Sequence, residues 1–164
     1  MRIIITESQY KRILREEEEQ KVLHIPSLKV FGDDWYELQK FLESKGNPPY
    51  TIGGNLVLFD TLIKSLGNLI SVGGNLYFEN SPIESLGNLT SVGGYLNLRD
   101  TPIESLGNLT SVGGNLRLSG TPIKSLGNLI SVGGDLDLRG TPLSEKYTEE
   151  EIRQMVNVGG SVHL

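Results

Sequence analysis

The sequence has no cysteine among its 164 residues. This excludes disulfides, thiolate metal sites and cysteine nucleophiles, and it fits a reducing compartment, so we expect a cytoplasmic protein. Long apolar runs are also missing, since none approaches the roughly 20 residues of a membrane-spanning helix. The opening stretch "MRIII" is followed at once by Thr6, Glu7 and Ser8. We therefore predict neither a signal peptide nor a membrane partner.

A strong charge of one sign is absent as well. The formal net charge is −5, and residues 1–51, 52–143 and 144–164 each carry more acidic than basic side chains. A chain without a basic segment neutralises few phosphates, so we expect no nucleic-acid partner.

Catalytic and metal-binding constellations are scarce. His24 and His163 lie towards opposite ends of the chain. Asp135 and Asp137 are neighbours on a predicted strand face, where pairing with arginines is a simpler interpretation than catalysis. One row offers a single calcium ligand per repeat, which is too few for a site: Asp60, Asn80 and Asp100. We therefore predict no enzyme, no cofactor and no metal.

Glycine is abundant, with 20 residues, and it marks a repeat. The pair Gly-Gly recurs at 53–54, 73–74, 93–94, 113–114, 133–134 and 159–160. Four of these pairs follow a valine at a fixed period of 20 residues, namely Val72, Val92, Val112 and Val132. A fixed period of this size indicates a solenoid. Because each pair precedes an apolar alternation, we interpret it as a corner that requires either a positive φ or close contact with the neighbouring coil.

One unit contains a short strand and an extended return. Residues 75–79 alternate, which predicts a strand with Leu76 and Phe78 pointing inward. Pro82 ends the strand pairing, and Ile83, Leu86 and Leu89 follow on the return. Burying six apolar side chains contributes about 9–18 kcal/mol, whereas ordering 20 residues costs about 30 kcal/mol. A unit is therefore stable only when stacked on others.

The pattern L-x-L/F-x-x-S/T-x-I-x-x-L-x-x-L over residues 52–143 resembles the leucine-rich repeat family, in its short bacterial form. The matching residues of one unit are Leu76, Phe78, Ser81, Ile83, Leu86 and Leu89. The resemblance implies an α/β solenoid with one parallel sheet. Counting one strand for each unit and one for the strand-like segment at each end, we expect about seven short strands. The usual asparagine of the family is replaced by Thr61, Ser81, Thr101, Thr121 and Thr141. The wording "SVGGNL" and the opening "MRIIITESQYKRIL" also resemble bacterial and phage proteins, which would place the chain in a host cell's cytoplasm.

The two ends predict helical caps. Residues 28–51 contain a strand-like stretch from Leu28 to Gly32, then a helix capped by Asp33. Residues 144–164 contain a capping box at Thr148, then a restatement of the repeat from Val158. Residues 52–143 form the solenoid, and residues 1–27 form a lead-in with a separate helix that begins at Thr6 and carries Tyr10, Ile13 and Leu14 on one face.

The outward strand positions vary between units while the return stays nearly constant. They predict a partner-binding face made of Val57, Phe59, Tyr77, Glu79, Tyr95, Asn97, Arg99, Asn115, Arg117, Asp135, Asp137 and Arg139. Aromatic and arginine side chains are common interface anchors, so we expect a protein partner. The chain would be a monomer or a weak homo-oligomer through a cap edge.

Three other interpretations of this face stay open. The first is drift of exposed positions. The second is a glycan-binding or virion adhesion module that stacks sugars on Tyr77 and Tyr95. The third is a sponge for a small anionic ligand held by Arg99, Arg117 and Arg139.

Overall fold

The computed structural model describes residues 6–8, 22–59 and 61–164. Over these residues the chain is a β-solenoid of about four turns, with parallel sheets and few helices. Each full coil crosses two sheets and then returns along a third side. On that third side, isolated bridges join Ser65 to Ser85 and Ser105 to Ser125.

The first sheet, which we call sheet A, has seven strands. In spatial order they are β1 (Leu23–Ile25), β2 (Tyr50–Ile52), β4 (Leu69–Val72), β6 (Ser91–Val92), β8 (Ser111–Val112), β10 (Ser131–Val132) and β12 (Asn157–Val158). Each pairs in parallel with the equivalent residues one coil away, so that Val92 lies beside Val112.

The second sheet, sheet B, has six strands. In chain order they are β3 (Leu56–Val57), β5 (Leu76–Tyr77), β7 (Leu96–Asn97), β9 (Leu116–Arg117), β11 (Leu136–Asp137) and β13 (Val162–His163). Their register again follows the 20-residue period, with Leu96 beside Leu116.

The prediction of a single parallel sheet is therefore wrong in one respect. The strand predicted at residues 75–79 forms, in sheet B, only over Leu76–Tyr77. The Ser-Val pair before each Gly-Gly corner, to which no strand was assigned, forms β6, β8 and β10 of sheet A. Two sheets arise because the chain turns at each Gly-Gly pair and both flanking segments bond to the adjacent coil.

The glycine pairs are corners, and of the two predicted reasons for glycine there the close contact with the neighbouring coil is confirmed, whereas none of the paired glycines has a positive φ. A Cβ added at Gly113 would collide with the carbonyl oxygen of Gly93. A Cβ added at Gly94 would collide with the side-chain oxygen of Asn75. The first glycine thus leaves room for the main chain of the previous coil, and the second leaves room for a side chain.

The core is a column of apolar side chains that runs through the stacked coils. The six apolar positions of the unit are buried, and Leu96, Leu98, Ile103, Leu106 and Leu109 have no exposed surface. At the position where the resemblance leads one to expect asparagine, Thr101, Thr121 and Thr141 are buried beside them, and Thr61 is half-buried. Their hydroxyls donate within their own coil, as Thr101 does to the Leu98 carbonyl at 2.7 Å, rather than to a neighbouring coil.

The N-terminal part differs from the prediction. Residues Leu28–Phe31 form a 3-10 helix and not a strand, because Ser27 accepts the Lys29 N–H and Gly32 closes the turn at φ 66°. The strand in this part is β1, which pairs with β2. Helix α1 (Trp35–Ser44) follows, with Asp34 and not Asp33 as its N-cap. The helix predicted from Thr6, including Tyr10, Ile13 and Leu14, lies outside the described residues except for 6–8.

The C-terminal part adds two short helices before the last coil. They are α2 (Pro142–Lys146), which was not predicted, and α3 (Glu149–Met155). The predicted capping box at Thr148 is confirmed, with Glu151 as its reciprocal partner. The restatement of the repeat is confirmed as well, since Val158 pairs beside Val132. None of the helices in the described part of the chain is long and apolar enough to span a membrane.

Candidate functional site

The candidate site is the outward face of sheet B, which we call the sheet B face. The parallel register aligns equivalent residues of successive coils into rows. The middle row runs Val57, Tyr77, Asn97, Arg117, Asp137 and His163. The structure therefore brings the predicted residues onto one continuous surface.

Three aromatic rings cross this face diagonally. The ring centroids of Phe59 and Tyr77 are 5.8 Å apart, and those of Tyr77 and Tyr95 are 5.5 Å apart in an edge-to-face arrangement. The guanidinium carbon of Arg117 comes next, 6.0 Å from the centre of the Tyr95 ring. We call Phe59, Tyr77, Tyr95 and Arg117 the aromatic–arginine series. Phe59 is 44% exposed and the neighbouring Val57 is 49% exposed, so the aromatic–arginine series begins in an exposed apolar patch.

The far half of the face is organised around Asp137. Arg139 binds both oxygens of this carboxylate, through Nε to Oδ1 at 2.9 Å and Nη2 to Oδ2 at 2.8 Å. Arg117 approaches the same carboxylate less closely, with Nε 3.6 Å from Oδ2. The hydrogen bonds from Arg139 and its positive charge hold the pKa of Asp137 below its usual range.

A second polar cluster lies around Asn97, which the register places between Tyr77 and Arg117. Asn97 donates to Glu79 at 3.3 Å and accepts from the Arg99 N–H at 3.1 Å. Arg99 pairs with Asp100 at 3.0 Å. Burial raises the pKa of the nearby Tyr95 phenol, against the lowering effect of Arg117.

Two predicted members of the face are not freely accessible. Asn97 and Asp137 are 4% and 6% exposed, although both were predicted at outward positions. They do lie on the outward side of the sheet, but each is engaged by its neighbours. Asn97 donates to the Glu79 side chain and accepts the Arg99 main-chain N–H, and Asp137 is bound by the Arg139 guanidinium. Asp137 thus fixes the Arg139 side chain, and Asn97 links Glu79 to the Arg99 main chain.

A second row of the face has a structural role that the sequence did not reveal. It consists of the residues two positions before those of the middle row, namely Asn55, Asn75, Tyr95, Asn115 and Asp135. Asn75 Oδ1 accepts the Tyr95 N–H at 2.8 Å, and Asn115 Oδ1 accepts the Asp135 N–H at 2.9 Å. Each residue bonds to the main chain one coil further on. We call this series the Asx ladder, and its members are Asn55, Asn75, Asn115 and Asp135. Asn115 and Asp135, predicted as contact residues, thus also join coils.

His163 is a member of the face that the prediction missed. It lies beside Asp137 in the register and lines a groove of about 350 Å³ with Tyr95, Asn115 and Arg117. The signal was present in the sequence, because the restated repeat places His163 at the position of Asp137. A second groove, of about 440 Å³, is lined by Arg99, Arg117 and Arg139 among others.

The row considered for calcium has a conformational explanation. Asn80 and Asp100 have φ values of 57° and 54°, and Gly120 and Gly140 occupy the equivalent corners at 72° and 67°. Asparagine, aspartate and glycine are the residues that tolerate this left-handed conformation. Within residues 6–8, 22–59 and 61–164, no group of three or more histidine or acidic side chains is placed to hold a metal ion.

Comparison of the chain with protein-family models, with curated proteins and with solved structures returns no match. The sheet B face is therefore the feature from which a function can be proposed.

Proposed function

We propose that the chain is a non-enzymatic binding module of the leucine-rich-repeat kind, and that it binds a protein through the sheet B face. The observation that carries this proposal is the aromatic–arginine series, which runs from Phe59 through Tyr77 and Tyr95 to Arg117. Aromatic and arginine side chains supply most of the binding energy in protein interfaces, particularly when they cluster.

The polar contacts that fix other side chains of the sheet B face strengthen the proposal. Arg139 is fixed on both oxygens of Asp137, and Asn97 ties Glu79 to the main chain of Arg99. Side chains held in place before binding lose less conformational entropy when a partner docks. Six strands at about 4.8 Å spacing give a face roughly 24 Å wide, a width that suits a protein surface.

We also propose that the helices at the two ends act as caps of the solenoid. Trp35, Leu38 and Leu42 of α1 and Ile152 of α3 are buried in the same core as the coils. A repeat protein needs such covers, because an open end coil exposes apolar surface and unpaired strand edges.

The test compares strand-face variants with variants on the return side. The wild-type chain is used to isolate a partner, and the affinity of the purified pair is then measured for each variant. Tyr77→Ala and Arg117→Ala should each weaken binding by at least about 1 kcal/mol. The controls are Lys64→Ala and Lys124→Ala, whose ion pairs with Glu84 and Glu104 lie on the exposed return side.

Retained melting temperatures would show that the Tyr77 and Arg117 variants are folded. The proposal fails if the lysine variants lose binding and the strand-face variants keep it. Salt should also weaken the wild-type complex, since exposed charges are screened within about 8 Å at physiological ionic strength.

Two alternatives make different predictions. A glycan-binding or adhesion module would use Tyr77 and Tyr95 as stacking platforms, and a glycan array would identify its ligand. A sponge for a small anion is favoured by the groove that Arg99, Arg117 and Arg139 share, and a thermal-shift panel of nucleotides and other anions would reveal it. Asp100 and Asp137 also line that groove and pair with its arginines, which argues for the protein partner.

A further inference from the structure

The Asx ladder is interrupted at Tyr95. Before the interruption, Asn75 accepts the Tyr95 N–H, and after it Asn115 accepts the Asp135 N–H. Tyr95 carries no oxygen close to its own main chain, so it cannot continue the series. Among the residues that the structure describes, the Asn115 N–H has no hydrogen-bond acceptor. One acceptor oxygen of the ladder is therefore missing.

The position of the missing oxygen is not filled by another side chain. A Cβ added at Gly94 or Gly134 would collide with the side-chain oxygen of the ladder residue one coil earlier. At Gly114 the nearest atoms are instead main-chain atoms of Gly94 and Tyr95. Asn115 also lines the adjoining groove of about 350 Å³.

The chemistry of a group that would fit is indicated by the ladder itself. Asn115 supplies an amide oxygen and Asp135 a carboxylate oxygen, and each accepts a main-chain N–H from the next coil, at 2.9 and 2.8 Å. Either type of oxygen therefore suits this position. The neighbouring charge then decides between them.

That charge is the guanidinium of Arg117. Its Nε is 3.6 Å from Asp137, whose two oxygens are bound more closely by Arg139. Arg117 therefore has N–H donors left for another acceptor, and a guanidinium binds a carboxylate more strongly than a neutral amide. Asp135, Asp137 and Arg139 also line the groove, so its aspartates and arginines are equal in number. Arg139 is paired with Asp137, and Asp135 Oδ1 accepts the Ser161 N–H at 2.8 Å, which leaves Arg117 as the arginine that can bind a further carboxylate.

We propose that the Asn115 N–H and Arg117 form a binding site for a carboxylate side chain, an aspartate or glutamate of the protein partner. One oxygen takes the place of the missing ladder oxygen and accepts the Asn115 N–H, while the other faces Arg117. The Tyr95 ring forms a wall of the site. This inference rests on the proposed function, because it names the chemistry that the partner presents to the sheet B face.

The test uses the full chain labelled with ¹⁵N. N-acetyl-aspartate amide is the probe, and N-acetyl-asparagine amide at equal ionic strength is its matched control. The Asn115 amide should exchange with solvent faster than those of Tyr95 and Asp135 in the free protein. The aspartate probe should shift the Asn115 resonance saturably and slow its exchange, with an affinity about tenfold above that of the asparagine probe.

Two substitutions of Tyr95 distinguish the effect of the missing oxygen from the effect of the aromatic ring. Tyr95→Asn should fill the gap, protect the Asn115 amide without any probe and abolish the shift. Tyr95→Ala also removes the ring but leaves the gap, so it should keep the shift. The inference is overturned if both variants respond alike, or if the wild-type Asn115 resonance does not respond.

Failure of the inference can be told from failure of the proposed function. A partner that needs Tyr77 but binds Tyr95→Asn as well as the wild-type chain would refute the carboxylate site and leave the binding face in place. A partner indifferent to Tyr77 and Arg117 would refute the binding face, whatever the Asn115 amide does with the probe.

Discussion

The guanidinium of Arg153 lies against the main chain of Gly160 and donates to its carbonyl oxygen from Nη2 at 2.8 Å. The same side chain donates from Nη1 to the Val158 carbonyl at 3.1 Å. One coil earlier, the equivalent carbonyls of Val132 and Gly134 accept the N–H groups of Gly159 and Gly160. Arg153 thus satisfies the two acceptors that a further Gly-Gly pair would otherwise satisfy.

This relationship predicts that Arg153 keeps the C-terminal edge of sheet A, strand β12, from pairing with another chain. An unprotected edge strand is a template for strand addition. We expect Arg153→Ala to form concentration-dependent oligomers, measured by sedimentation velocity, while the secondary structure seen by circular dichroism is retained. Arg153→Lys should be intermediate, since an ammonium lacks the planar fork of donors.

The control for that prediction is Lys64→Ala, which removes one positive charge from the return side. It should leave the association state of the wild-type chain unchanged. If Arg153→Ala sediments like the wild type at every concentration, the arginine is not an edge block.

A second prediction concerns two adjacent residues of β7. Leu96 has no exposed surface and packs between coils, so Leu96→Ala should lower the free energy of unfolding by about 2–5 kcal/mol. Asn97→Ala removes bonds to Glu79 and to the Arg99 main chain, and should cost about 1 kcal/mol. Urea denaturation measures both, with the exposed Lys124→Ala as a control within about 0.5 kcal/mol. Equal costs for the two β7 variants would contradict the assignment of Leu96 to the core.

The coil register could be predicted from the sequence, and the second sheet could not. Val72 and Leu76 recur at a fixed period with glycine pairs between them, so stacking them in register is the arrangement that buries the recurring leucines. A two-residue strand has no alternation to detect, however. Sheet A exists because main-chain groups of neighbouring coils bond to each other, as the Gly93 N–H does to the Val72 carbonyl.

The composition of the candidate face was predictable, but its internal support was not. Tyr77 and Arg117 are recognised as outward because they alternate with buried leucines. The role of Asn75 is invisible in the sequence, because its acceptor contact is with an N–H 20 residues away. The burial of Asp137 depends on which way Arg139 folds, and that is decided only by the assembled surface.

A third prediction concerns Ser81, the serine among the four threonines at this position. Its buried hydroxyl has no hydrogen-bond partner within the described part of the chain, whereas Thr101 and Thr121 each donate to the carbonyl three residues earlier at 2.7 Å. The methyl group of threonine restricts χ1 and favours that bond. Ser81→Thr should therefore raise the free energy of unfolding by about 0.5–1.5 kcal/mol, and the melting temperature with it.

The reverse change is the matched control for Ser81. Thr101→Ser should destabilise the fold, because it removes a buried methyl group and the restriction on the hydroxyl. If Ser81→Thr is itself destabilising, the second coil has no room for the methyl group that the neighbouring coils accommodate.

The last prediction follows from the carboxylate of Asp137. The Arg139 hydrogen bonds hold its folded-state pKa below the ordinary aspartate value, so the ionised form stabilises the folded chain. A carboxyl group of this kind contributes its full stabilisation above the ordinary aspartate pKa of about 3.9 and loses it as the pH falls from there through the lowered folded-state value. Asp137→Asn should therefore lower the free energy of unfolding by about 1.5 kcal/mol at neutral pH.

The same difference should shrink at about pH 3, below the ordinary aspartate pKa, because protonation of this carboxyl group in the unfolded chain then favours unfolding of the wild type. Urea denaturation of both chains at the two pH values measures it. Asp135→Asn is the matched control: asparagine occupies the same ladder position in other coils, so this variant should differ little from the wild type at either pH. A difference for Asp137→Asn that is as large in acid as at neutral pH would show that packing, and not the ion pair with Arg139, explains the effect.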